Sequence, residues 1–565
     1  MCEFCAFGPR SYNPYMNLRG LGRGTGCATL LFFGACALFS QNETPKFSSR
    51  SELVLVPAVV TDKSGKHISN LTKDDFVVLE DGKAQKVAVF EELKTSATRV
   101  QRTAVSPGHF SNVLETDAHP KRLVIVALDV VNTPILQQSS ARMELLKFLA
   151  QSLDPGEPTE LVMIGRNGLT VLHDFTGDPA VLAAALRQKT GTTPSLAEAQ
   201  PVSQSPHSGD GLAALLHMLG QMENEDKARI EAFDRHAAIL STLAAFQEIA
   251  ASVAGIPGRK ALLWVSSGFP FSISQSDNAP SRGTVMDSYE STWRMLNQAQ
   301  VAVYPIDVRY LTNSKFHGVD EPGTKHMPWE ATGDDPYSDI LLRDDKEQQE
   351  ILTTLQNFAD ATGGRAFFDS NDLQRGFREA VDDNSDYYML GYYLIRQGKK
   401  PGWHKLQVKV EQKGTVVRAR NTFLITNGPL SGGVERGDLG AALQSPVDFT
   451  AIPIQGSWTE VSAEKKRASF ELVLPAGFAE IAEEDGNHMK VEFVVEAKME
   501  GANPIRIAQT VDVHLDAKGL EQIRGNGMTY HNALKLPPGD YSVRFVVLDA
   551  ISGRVGSASS SLKLQ

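Results

Sequence analysis

Lys121-Arg-Leu-Val-Ile-Val-Ala-Leu-Asp129-Val-Val-Asn132-Thr133 decides how this chain is read. The apolar run Leu123 to Leu128 is too short to cross a membrane. It has the length of a central parallel strand buried on both faces. It ends on a carboxylate, followed by a small polar loop and a helical pattern. Ligands of open α/β sheets bind outside the carboxyl ends of the strands. Asp129 is therefore expected at that edge, with Asn132 and Thr133 beside it as oxygen donors. Such a group begins a hard-cation site.

Outward from this strand, residues 121–385 alternate strand and helix, the pattern of a doubly wound, mostly parallel sheet. Strands are expected at 122–129, 159–165, 169–173, 260–266, 301–306 and 365–368. Helices are expected near 136–152, 178–188, 226–254, 286–299, 346–361 and 371–382. In the third helix Ile230, Phe233, Ala237, Leu240, Ala244 and Ala251 share a face expected to be buried. The polar stretches 190–211 and 310–345 read as long loops, either functional or disordered.

On either side the pattern is β. Residues 50–95 hold alternating strands with an Asp81-Gly82 hairpin signal, too few for a complete sandwich. Residues 386–425, beginning with Asp386-Tyr-Tyr-Met-Leu-Gly-Tyr-Tyr-Leu394, are expected to supply the missing strands. Residues 94–119 and 427–440 read as linkers. The final stretch, 445–565, reads as an immunoglobulin-like sandwich, with strands at 468–474, 489–497, 509–515 and 540–549. The fold class is thus α/β plus all-β.

The first 41 residues read as a signal peptide. Arg19 and Arg23 precede the apolar run Ala28 to Phe39, and Ala35 and Ala37 give a small-residue cleavage site. Met1 and Met16 are both open as the start. The expected location is extracytoplasmic, secreted or periplasmic. A lipoprotein anchored at Cys36 is the alternative, although Phe33-Gly-Ala-Cys36 matches a lipobox poorly. All four cysteines (Cys2, Cys5, Cys27, Cys36) lie here, so Cys2-x-x-Cys5 is not read as a metal or redox site. The mature chain is expected to carry no disulfide and no transmembrane span. A formal net charge of -11 without a basic tract excludes nonspecific nucleic-acid binding.

Several blocks carry a resemblance. They are Gly65-Lys-x-Ile-Ser-Asn-Leu-Thr-Lys-Asp-Asp-Phe76 with Glu80-Asp-Gly82, the Leu128-Asp129-Val-Val-Asn132-Thr133 loop, and Pro257-Gly-Arg-Lys-Ala-Leu-Leu-Trp-Val-Ser-Ser-Gly-Phe-Pro270. Val303-Tyr-Pro-Ile-Asp307, Ala361-Thr-Gly-Gly-Arg-Ala-Phe367 and Tyr387-Tyr-x-Leu-Gly-Tyr392 complete the set. Together, over about 50–425, they resemble the von Willebrand factor type A domain. The nearest likeness is to the bacterial "VWFA-related" family of secreted proteins, first described in Acidobacteria. The resemblance implies a Rossmann-like sheet flanked by β structure, and binding rather than catalysis.

It also implies a metal-ion-dependent adhesion site, built on Asp-x-Ser-x-Ser, a second-loop Thr and a third-loop Asp. Here Val131 replaces the first hydroxyl, Thr133 supplies the second, and Ser267 stands where the second carboxylate would be. Thr242 fits best as the second-loop residue, with Thr192 and Thr193 as alternatives. Asp129, Thr133, Thr242 and Ser267 are therefore the candidate metal residues. One carboxylate among neutral oxygens binds Mg²⁺ or Ca²⁺ weakly; in the other reading Asp129 only caps the loop and the site is vestigial. The expected partner is a protein or cell-surface ligand.

Rival readings are an extracytoplasmic hydrolase and a structural envelope protein. Thirteen histidines form no His-Glu-x-x-His or Cys/His cluster. Ser266-Ser267-Gly268 lacks the Gly-x-Ser-x-Gly frame of a nucleophile elbow. Gly363-Gly364 reads as a turn, Asp334-Asp335 and Asp382-Asp383 as solvated loops, and the tyrosines at 387, 388, 392 and 393 as strand packing.

Overall fold

Three strands in which every residue is buried organise the middle of the chain. The computed structural model describes residues 52–94, 106–113, 123–188, 212–269, 282–309, 336–368, 373–394, 399–400, 402–425 and 436–565. The expected signal peptide with its cysteines, Thr192, Thr193 and Asp334-Asp335 lie outside the described residues.

The chain opens with β1 (Glu52–Thr61), β2 (Phe76–Glu80), β3 (Lys83–Gln85) and β4 (Val87–Lys94). A short strand, β5 (His109–Ser111), follows inside the stretch expected to be a linker. Then come β6 (Leu123–Asp129), α1 (Ile135–Gln151), β7 (Thr159–Gly165), β8 (Gly168–Thr176), α2 (Pro179–Gln188), α3 (Leu212–Val253), β9 (Lys260–Ser266), α4 (Arg282–Gln298), β10 (Val301–Asp307), α5 (Pro336–Thr362) and α6 (Leu373–Asp383). The strands form one mixed sheet in the order β10-β9-β6-β7-β8. Every neighbouring pair is parallel except β7–β8. Where a sixth strand was expected, Phe367 makes a single parallel bridge to Ile306.

Helices cover both faces of this sheet, which is why β6, β9 and β10 are apolar throughout. One face (Leu123, Ile125, Leu262, Trp264, Val303) packs on Phe246, Ile249, Tyr289, Leu296 and Phe358 of α3, α4 and α5. The other (Val124, Val126, Leu263, Tyr304) packs on Phe148, Leu182 and Phe377 of α1, α2 and α6. The buried face of α3 matches the expected one at Ala251 and differs at Phe233 and Ala244, with the Ile230 side chain outside the described residues. Leu243, Ala245, Phe246, Ile249, Ala250 and Val253 are buried, while Ala244 is exposed and Phe233 is 71% exposed. Among the described residues the stretch Phe233–Val253 alone is long and apolar enough to cross a membrane. Its buried side chains lie in the sheet's core. Helix α5 takes in the last part of the loop expected at 310–345.

After the sheet come β11 (Asp386–Leu394), β12 (Gly402–Val410), β13 (Val416–Ala419) and β14 (Thr422–Ile425). They interleave with the opening strands in two antiparallel sheets, β13-β1-β11-β4 and β14-β12-β2-β3. Val54, Val56, Phe76, Val78, Leu390, Tyr392, Leu406 and Phe423 form the core between them. A helix, α7 (Arg436–Gln444), stands in the second expected linker.

The chain ends with β15 (Gln455–Ser462), β16 (Arg467–Leu474), β17 (His488–Lys498), β18 (Ile505–His514), α8 (Ala517–Asn526), β19 (Met528–Lys535), β20 (Gly539–Asp549) and β21 (Val555–Leu564). Two more antiparallel sheets result, β19-β16-β15-β5 and β18-β17-β20-β21, around a core of Phe110, Phe470, Phe493, Val543 and Phe545. The fold is thus mixed α/β, with one mixed sheet and four antiparallel ones among the described residues.

The Gly363-Gly364 pair has a steric cause. A Cβ on Gly364 would lie 1.9 Å from the carbonyl oxygen of Val303 in β10. Gly364→Ala should therefore destabilise by about 2 kcal/mol or more, because backbone cannot move aside as a side chain can. Gly440→Ala, on α7 with no atom within 4 Å of the new methyl, should be neutral or stabilising. Urea midpoints of the two variants test this; equal midpoints would refute the assignment.

Candidate functional site

Asp129 closes β6 with its carboxyl fully buried. Trp264 and Ser266 sit two residues apart on the adjacent strand β9, so their side chains leave it on one side. Both reach Asp129. Its Oδ2 accepts from Ser266 Oγ at 2.9 Å, Trp264 Nε1 at 3.0 Å and Asn132 Nδ2 at 2.7 Å. Its Oδ1 accepts from the backbone N–H groups of Val131 and Asn132, both at 3.1 Å. Burial pushes the Asp129 carboxyl up, and donation from Asn132, Ser266 and Trp264 pulls against that. A carboxylate facing only donors is held as an acceptor on both oxygens.

Thr242 joins from α3. Its hydroxyl donates to Ala238 O at 3.0 Å, so its oxygen accepts from Asn132 Nδ2 at 2.8 Å. An acceptor on each side fixes which end of the Asn132 amide faces inward. Thr133 and Ser267 form a separate pair, in which Ser267 N donates to Thr133 Oγ1 at 3.2 Å. Ser267 Oγ donates to Gln137 Oε1. Gln138 Nε2 donates to the carbonyls of Thr133 and Val130 at 2.7 and 3.2 Å.

The candidate metal residues are thus brought to one edge but not around one point. Asp129 and Thr242 meet through an amide nitrogen, and Thr133 and Ser267 meet beside them. An N–H cannot ligate a cation, and both oxygens of Asp129 are already saturated. The arrangement does not fit the Mg²⁺ or Ca²⁺ expected at Asp129, Thr133, Thr242 and Ser267. Position Val131 signalled a missing hydroxyl; nothing in the sequence signalled that Trp264 would donate here.

The same edge carries Asp307 at the end of β10, held by a two-pronged ion pair with Arg309, whose Nη2 lies 2.6 Å from Oδ2. Among the described residues the Ser266 hydroxyl bonds to Asp129 Oδ2 and Gly268 N, and the Ser267 hydroxyl to Gln137 Oε1. A general base such as histidine is not among them.

The opposite, amino edge holds buried cations. Arg259, 2% exposed, donates from Nη2 to Tyr304 Oη at 3.0 Å and to Gly363 O at 2.6 Å. Its backbone N–H donates to Tyr387 Oη at 3.1 Å. Lys260 Nζ donates to the carbonyls of Ile256 and Gly258. Lys260 lines a cleft of about 400 Å³ with Leu93, Pro257, Gln298 and Met389. Glu91 lines the same cleft, and burial lowers the Lys260 amine to about 7. Asp383, expected to be solvated, is instead 8% exposed and paired with Arg418.

No family model matches the chain, and no curated protein matches it.

Two predictions follow from these edges. Asn132→Asp places a second carboxylate against Asp129; it should destabilise the fold in chelator, and millimolar Mg²⁺ or Ca²⁺ should restore part of the loss. The wild-type thermal midpoint should not move with either ion, and Asp129→Ala should cost about 3 kcal/mol or more by stranding buried donors. A saturable wild-type shift that Asp129→Ala abolishes would sink this reading. At Lys260 the folded amine is lowered to about 7 from 10.5, so the unfolded chain holds the extra proton between those values. Its contribution to stability rises with pH across that window, by up to about 1.4 kcal/mol per unit, and is flat below it. Lys260→Met should lack that slope between about pH 7 and 9; parallel curves for the two proteins would be the contrary result.

Proposed function

We propose that this chain is an exported, non-enzymatic binding protein with a von Willebrand type A-like domain. It holds a protein or cell-surface ligand on the carboxyl-edge loops of the mixed sheet, and does so without a cation. In this reading β6 to β10, with the Phe367 bridge, are a Rossmann-like sheet. The paired antiparallel sheets are its flanking sandwich and a C-terminal immunoglobulin-like one.

Strand order supports the reading. In chain order the sheet runs 3-2-1-4-5 with its turning point between β6 and β9, and ligands of such sheets gather at that crevice. The observation that carries the proposal is the Asp129 knot, which lies in this crevice. It pins the end of β6 and the loop after it to β9 through Ser266, Trp264 and Asn132, and the bond from Ser267 N to Thr133 Oγ1 joins the two following loops. The result is a platform at the carboxyl edge of the sheet.

A photo-crosslinking residue at Asn167, exposed in the β7–β8 turn at this edge, tests the proposal in native cells. A discrete adduct is expected from Asn167 that persists in chelator and is absent when the probe is at Lys465 in the C-terminal sandwich. Adducts from Lys465 alone, or adducts that vanish with chelator, would overturn it.

A further inference from the structure

The pairing of β17 with β18 sets His488 directly opposite His514. The two imidazoles stack with centroids 4.8 Å apart and planes 14° apart. The turn before β17 brings up a carboxylate: Asp485 Oδ2 lies 3.2 Å from His488 Nδ1, and Asp485 Oδ1 lies 3.9 Å from His514 Nε2. Gly486, in the left-handed region at φ 63°, passes so close beneath His514 that a Cβ would sit 3.3 Å from its Cδ2. Behind His488, Asp512 Oδ1 lies 2.7 Å from Nε2, while its other oxygen meets Lys490 Nζ at 3.1 Å.

The chemistry of His488 is informative. Its Nε2–H donates to Asp512, because a carboxylate oxygen can only accept. The remaining nitrogen then turns a lone pair toward the lone pairs of Asp485. Two acceptors 3.2 Å apart require a proton or a cation between them. Metal-bound histidines characteristically donate their second N–H to a carboxylate, as His488 does to Asp512. Ligand atoms on a tetrahedral zinc ion sit about 3.3 Å apart given bonds of about 2.0 Å; the donor atoms of Asp485, His488 and His514 lie within 4.8 Å of one another, and a turn of the exposed His514 ring out of the stack would converge them. Two imidazoles with one carboxylate select zinc, nickel, cobalt or copper over Mg²⁺ and Ca²⁺, which take oxygen.

We propose that Asp485, His488 and His514 bind a divalent cation of the zinc class, with Asp512 orienting His488 and a fourth position open to solvent. This site lies in the C-terminal sandwich and is independent of the carboxyl-edge reading. The sequence hid it, because strand pairing and not spacing along the chain brings the ligands together.

Titration of the full chain with Zn²⁺ near neutral pH tests the proposal, with Cys2, Cys5, Cys27 and Cys36 alkylated so that thiolates do not compete. One saturable site is expected, with no response to Mg²⁺ or Ca²⁺. His514→Ala and Asp485→Ala, both exposed positions, should each weaken it at least about tenfold. Asp512→Ala should weaken it by about ten- to a hundredfold, and His531→Ala on β19 should leave it unchanged. Circular dichroism verifies that each variant is folded. Absence of saturable binding up to about 100 µM Zn²⁺, or binding that His514→Ala and Asp485→Ala leave intact, would overturn the assignment and leave a proton between His488 and Asp485.

Discussion

Arg259 holds a guanidinium that cannot shed its proton, in a place water does not reach. Burying such a charge is tolerable only where the protein supplies acceptors in fixed positions. Those acceptors come from remote parts of the chain: Tyr304 on β10, the Gly363 carbonyl after α5, and Tyr387 on β11 for the backbone N–H. Placing this one residue therefore engages the sheet, the end of its last long helix and the flanking strand β11 together. The amino edge is thereby committed to holding the fold together.

The sequence blocks that carry the type A resemblance turn out to be partners of one another. Arg259 of the Pro-Gly-Arg-Lys block binds Gly363 of the Thr-Gly-Gly block. Thr362 Oγ1 of that block accepts from Val303 N, the first residue of Val-Tyr-Pro-Ile-Asp. Tyr388 of the Tyr-Tyr-x-Leu-Gly-Tyr block accepts from Leu71 N at 3.1 Å and donates to Ile68 O at 2.8 Å, both in the lead-in Ile-Ser-Asn-Leu-Thr block. These residues specify a scaffold. The blocks therefore inform architecture.

Strands β6, β9 and β10 were legible because burial on both faces leaves an unbroken apolar run. Strands β15 and β21 were not, because Gln455-Gly-Ser-Trp and Ser557-Ala-Ser-Ser-Ser561 put small or polar residues even at inward positions, as with the buried Ser557. The face of α3 was misphased for a related reason. Its inner end is packed by the sheet, α4 and the segment after α7 together, which smears a single apolar stripe, and Phe233 falls beyond that packing. At the site, Asp129 was legible from its place at a strand end. The Trp264 indole N–H was not, since an apolar strand residue does not announce where its one polar hydrogen will point. The same limit hid His488 and His514, whose proximity exists only once a register is chosen.

The buried charges also follow the helices. In a sheet of this winding the helices after parallel strands begin at the carboxyl edge and end at the amino edge, so partial positive charge collects at the first and partial negative charge at the second. Asp129 lies at the first, accepting backbone N–H groups just ahead of α1. Arg259 and Lys260 lie at the second, donating to carbonyls of Gly363, Ile256 and Gly258 just past the ends of α5 and α3. Each buried ion thus opposes the field of the helix ends around it. A cation added at the carboxyl edge would enter a region where the helix ends are already positive, Asp129 is spent on protein donors and Asp307 is paired with Arg309. In this electrostatic arrangement the amide of Asn132, neutral and offering two hydrogens, bridges Asp129 and Thr242 at lower cost than a metal ion would.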